Sequence, residues 1–157
     1  MEIKKNIQSQ FLAALAMLDQ AVDRCPDDLW NGQAYQNAVW QVAYHALFYT
    51  HLYLQPSADV FIPWAKARRE YEQMEKRDDP YSKADIIEYL GFCREQVRLQ
   101  VDALDLEGPS GFHWIPMDKL GLQFYNLRHL QHHVGELCER LGVTRNIEID
   151  WIGQFEE

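Results

Sequence analysis

The chain is short of basic charge, of cysteine and of long apolar runs, and each shortage removes a class of function. Its 15 lysines and arginines face 24 aspartates and glutamates, for a net charge of −9. Nucleic-acid binding draws most of its affinity from basic side chains clustered on phosphates, so this balance argues against a nucleic-acid partner. The one modest basic cluster, Lys66-Ala67-Arg68-Arg69, is followed at once by Glu70, Glu72 and Glu75 and reads as a solvated helix face. The three cysteines, Cys25, Cys93 and Cys138, are widely spaced and form no Cys-x-x-Cys pair. Each falls in or at the end of a helical pattern, as expected of small buried thiols in a reducing cytoplasm. The longest mainly apolar stretch, Val39 to Leu54, is broken by Gln41, His45 and His51, too short and polar for a membrane span. The opening Met-Glu-Ile-Lys-Lys-Asn is mixed in charge and runs straight into an amphipathic pattern, so no targeting segment is expected. No segment alternates as a strand does, and there is no internal repeat or low-complexity tract.

What is present is helical. With 157 residues, 47% of them apolar, and five tryptophans, the chain is read as one domain spanning 1–157 around a single core. Ile3, Ile7, Phe11, Ala14, Leu15, Leu18, Val22 and Cys25 recur at spacings of three and four, predicting a first amphipathic helix that Pro26 ends. A second helix, roughly Ala34 to Leu54, is apolar nearly all round and belongs at the centre. Residues 55–81 make a long connection whose middle, Trp64 to Arg77, has room for a charged helix between Pro63 and Pro80, with the Trp64 region exposed. Ser82-Lys-Ala-Asp85 is a variant capping box that opens a third helix to about Leu106. The fourth runs from about Met117 to Leu141, with Leu120, Phe124, Leu127, Leu130, Val134, Leu137 and Leu141 inward and Gly142 as its C-cap. A tail carrying Ile147, Ile149, Trp151, Ile152 and Phe155 is expected to pack back on the rest. The sum is an all-α four-helix bundle with a long crossover between helices two and three.

Chemistry concentrates in the histidines. His129 and His133 are four apart on the fourth helix, so both rings project from one face within reach of a single ion. They lie roughly 90–130° from the centre of the apolar stripe at 100° per residue, a flank position open to solvent on one side. His45 sits amid Val42, Ala46, Tyr49 and Leu52 in the second helix. Two histidines from one helix and one from another make the ligand count of an open zinc-type site, with a fourth position for water or substrate. The competing reading is two exposed histidines that happen to be four apart and a hydrogen-bonded core histidine. His51, His113 and His132 are weaker candidates: His51 points to another face than His45, His132 lies further from the apolar centre, and His113 occupies a loop before helix four.

The pattern resembles the DinB/YfiT-like superfamily over almost the whole chain. The resemblance rests on Asp27-Asp-Leu-Trp30 after the first helix, Val39-Trp40 leading to His45, the long crossover, and Arg128-His-Leu-Gln-His-His-Val-Gly-Glu-Leu137, the most specific of these. It implies a four-helix bundle of mirror-variant connectivity, a homodimer, and a divalent metal, zinc or nickel, held by His45, His129 and His133. Characterised relatives include S-transferases and isomerases that use low-molecular-weight thiols such as bacillithiol or mycothiol. In that chemistry the metal lowers the pKa of the cofactor thiol.

Two functions therefore compete. One is a metal-dependent transferase or hydrolase of small molecules, with Trp114, His113, Tyr49 and Tyr125 shaping its pocket. The other is a non-catalytic metal-binding bundle serving as a binding or oligomerisation module, whose site is closed by a fourth protein ligand from Glu136, Cys138 or His132.

Overall fold

The computed structural model describes residues 2–155. Its helices are α1 (Glu2–Arg24), the single turn α2 (Asp27–Trp30), α3 (Val39–Tyr53), α4 (Lys83–Ala103) and α5 (Lys119–Arg145). The four long ones are those predicted, and no strand occurs among the described residues. α1 packs against α4 and α5, and α3 packs against the same two. α1 and α3 therefore lie across the bundle from each other around a shared core, with Trp40, Tyr44, Phe11 and Leu15 among its largest buried side chains.

Helix ends follow local chemistry. α4 starts where Ser82 Oγ accepts the Asp85 N–H and the Asp85 carboxylate accepts from Ser82 N, the capping box read from the sequence. α3 starts later than the periodicity suggests, at Val39 rather than Ala34. The Gln41 side chain turns back to accept the Ala38 N–H at 2.7 Å and so fixes the first turn there. α5 runs past Gly142 to Arg145 and is closed by Asn146 in the left-handed region (φ 54°), whose N–H returns to Gly142 O.

The crossover departs most from expectation. Trp64 to Arg77 forms no α-helix; the connection holds only the 3-10 turns Ala58–Val60 and Tyr71–Gln73. Trp64 is buried, its ring stacked on Tyr89 at 4.5 Å, so this region packs rather than projects. Glu70 and Met74, at φ 68° and 60°, bracket the second 3-10 turn in left-handed geometry. For residues with a Cβ that costs on the order of 1 kcal/mol each or more, so surrounding contacts must hold the turn. Gln41 Nε2 supplies two of them, donating to Met74 O at 3.0 Å and Lys76 O at 2.9 Å. The tail does pack back through Ile147, Ile149, Ile152 and Phe155, while Trp151 stays exposed. No helix among the described residues is long and apolar enough to cross a membrane.

Candidate metal centre

α3 and α5 run antiparallel. Going up α3 from His45 to Tyr49, Thr50, Tyr53 and Gln55, the partners on α5 descend from His133 through His129, Asn126 and Gln123 to Lys119. At the Gln55 end, α5 completes hydrogen bonds that the C-terminus of α3 cannot make within itself. Asn126 Nδ2 donates to Thr50 O at 3.2 Å, and Gln123 Nε2 to Tyr53 O at 3.0 Å. The buried Lys119 ammonium donates to Gln55 O at 3.0 Å, to Pro56 O at 2.8 Å and to Ser110 O. Burial lowers its pKa, while the carbonyls of a helix C-terminus suit a cation. Phe124, which the apolar stripe set inward, is 55% exposed because these polar side chains occupy the α3-facing surface instead.

The other end of this interface brings together His45, His129 and His133, a group that could hold a metal ion. His45 Nε2 lies 3.0 Å and His133 Nε2 3.2 Å from His129 Nε2. A tetrahedral ion bound about 2.0–2.1 Å from each nitrogen would separate them by roughly 3.3 Å, so the spacing fits. The outward nitrogens fix the tautomers. His45 Nδ1 is 2.5 Å from Glu72 O, which can only accept, so that nitrogen carries the proton. His133 Nδ1 is 3.0 Å from the Glu136 carboxylate and donates to it likewise. Two lone pairs are thus directed at His129 Nε2, whose single possible proton could satisfy only one of them. Three nitrogen donors of this kind are an ion's ligand set more readily than a hydrogen-bonded network.

Burial keeps the cluster neutral. Desolvation pulls His45 down to about 4 and His129, also facing the charges of His133 and His45, to about 3. Burial lowers His133 too, with Glu136 pulling the other way. Neutral imidazole is the ligating form. Two parts of this arrangement escaped sequence reading. One is Glu72, which acts through a backbone carbonyl and has no side-chain signature. The other is the support of Glu136: Arg140 grips its carboxylate, donates to Asn37 O at 2.7 Å and lies 4.4 Å from the Tyr35 ring.

The remaining candidates separate cleanly. Tyr49 touches the cluster, 4.8 Å from the His45 ring and 5.4 Å from that of His129. Tyr125 joins Arg128, His129, Gln131 and His132 around a solvent-open depression of about 520 Å³ against α5. Trp114 lies beyond Tyr53, its Nε1 3.4 Å from the Tyr53 hydroxyl, and His113 is exposed beside it. His51 is buried elsewhere, 3.2 Å from the Tyr89 hydroxyl. Glu136 orients His133, and among the described residues neither it nor the half-buried Cys138 joins the three-histidine group. His132, exposed, forms a second possible group with His133 and Glu136, but that carboxylate is already shared by His133 and Arg140.

The fold and the histidine cluster define an all-α protein with a candidate metal centre between two antiparallel helices. A sequence model of the DinB superfamily matches residues 10–137, a span that includes all three histidines, and the chain belongs to that superfamily. No curated protein and no solved structure matches it.

Proposed function

We propose that this chain is a divalent-metal enzyme acting on a small molecule, with the ion held by Nε2 of His45, His129 and His133. The observation that carries the reading is the convergence of three imidazole nitrogens, two of which have their opposite nitrogens committed as donors to Glu72 O and Glu136. Bound zinc or nickel would supply Lewis acidity, lowering the pKa of a thiol or water at the open position so that a nucleophile is available at neutral pH.

The chain's own residues supply orientation and access. The Glu72 carbonyl and the Glu136 carboxylate keep the His45 and His133 lone pairs inward. Tyr49 walls the cluster beside His45 and His129, and the depression bordered by Tyr125 and Arg128 offers room for substrate next to His129. The absence of a fourth histidine, cysteine or carboxylate in the group, among the described residues, favours an open site over a closed structural one. The reaction proposed is thiol-dependent and S-transferase-like, with a low-molecular-weight thiol, and the enzyme a homodimer.

The test is metal content per chain by plasma mass spectrometry on tag-free protein, for wild type, His45→Ala and His129→Ala. One zinc or nickel ion per chain, lost in both variants, is the expected result. A wild type that arrives empty and takes up neither added ion would overturn the reading.

A further inference from the structure

An imidazole that gives one nitrogen to a metal keeps an N–H on the other, and an acceptor for that N–H sets both tautomer and ring orientation. His45 and His133 have such acceptors in Glu72 O and Glu136. His129 does not: its Nδ1 is buried and without a partner. Three residues earlier on the same helix stands the complementary orphan. Asn126 is wholly buried, and its Oδ1 also lacks a partner. The orientation of that amide is not free, because Nδ2 donates to Thr50 O at 3.2 Å and the flipped amide would set oxygen against oxygen. A buried donor and a buried acceptor therefore occupy neighbouring i, i+3 positions, whose Cβ atoms lie about 5–6 Å apart on a helix. Leaving both groups unmade would cost about 1–3 kcal/mol each.

We propose that Asn126 is a positioning residue for the metal centre: its Oδ1 accepts the N–H of His129 Nδ1 when the ion is bound. The role rests on the proposed binding of an ion by His45, His129 and His133. With the proton held at Nδ1, the His129 Nε2 lone pair faces the ion. Without that acceptor a neutral His129 is free to carry its proton on Nε2, where it opposes binding. Gln123 provides the internal control. Its Nε2 makes the same kind of bond to α3, at Tyr53 O, and its Oε1 is likewise buried and unpartnered. It stands six residues from His129, however, about 9 Å along the axis and about 120° around the helix.

The experiment measures zinc affinity by chelator competition, together with thermal midpoint, for wild type, Asn126→Leu, Asn126→Asp and Gln123→Leu. Imidazole proton–nitrogen spectra of the zinc-loaded wild type accompany it. Asn126→Leu is expected to weaken zinc binding by about 10–100-fold. Asn126→Asp keeps an acceptor and loses the donor to Thr50 O, so it should lose thermal stability while keeping wild-type affinity within a few-fold. Gln123→Leu should lose stability and leave affinity alone. The loaded wild type should show a solvent-protected His129 Nδ1 proton, a signature that needs no variant to fold. An absent Nδ1 proton, unchanged affinity in Asn126→Leu, or equal weakening in Gln123→Leu would overturn the role of Asn126 while leaving the metal reading intact. A wild type with no zinc affinity would overturn the metal reading and this role with it.

Discussion

On α1 and α4 the buried side chains are hydrocarbon, from Ile7 and Phe11 to Val97 and Val101, joined only by Met17, Tyr89 and Cys93. On α3 and α5 the buried set includes Gln41, Thr50, His51, Lys119, Gln123, Asn126 and His133. The two pairs share one core yet divide its tasks. The first contributes apolar burial, which is non-directional and tolerates small shifts. The second contributes directed hydrogen bonds between α3 and α5, along the same interface on which His45 meets His129 and His133. A buried polar group costs free energy unless it is paired, so the polar interface has few alternative registers.

Three substitutions probe this division, in descending order of expected effect. Phe11→Ala empties a fully buried position on α1. It should lower unfolding free energy by about 3–5 kcal/mol in denaturant titration while leaving metal uptake per folded chain unchanged. Loss of uptake in the folded fraction would show that the apolar pair also tunes the site.

The second probe is pH. Burial lowers the His51 pKa from 6.5 to about 4. Between those values the unfolded chain binds more protons than the folded one. Unfolding free energy should therefore decline as pH falls below about 6.5 and level off below about 4. His45 and His129 act in the same direction in the metal-free protein. Denaturant unfolding of the metal-free protein across this window should give a slope shallower by about one proton in His51→Gln. Identical slopes would mean that His51 titrates alike in both states.

The smallest expected loss, about 2 kcal/mol, is for Lys119→Met, which keeps the stem and removes the ammonium from three carbonyls. Its thermal midpoint should fall without loss of bound metal, because this lock sits at the end of the interface away from the histidines. Metal loss in step with stability would show that the α3–α5 register is set from the Lys119 end.

Much of this division is legible in the sequence. The stripe from Ile7 to Val22, the Ser82–Asp85 capping box and the pairing of His129 with His133 are patterns within one helix, and helical geometry is local. The polar face of α5 was harder to read. Leu120, Phe124 and Leu127 extend the apolar stripe in projection, but Lys119, Gln123 and Asn126 are drawn inward by the unsatisfied carbonyls ending α3, which belong to another segment. The burial of Trp64 escaped for a similar reason, since its partner Tyr89 lies on α4 and nothing near Trp64 in sequence announces it.

By itself the sequence determined four long helices, an acidic chain without a membrane-spanning helix among its described residues, and three histidines of the right type and spacing. Periodicity, capping and composition act over a few residues and can be read in order along the chain. Only the tertiary structure decided that His45 meets the other two, that the crossover delivers the Glu72 carbonyl to its Nδ1, and that His129 alone lacks a partner there. Those outcomes depend on distances between segments remote in sequence and on backbone atoms that every residue carries.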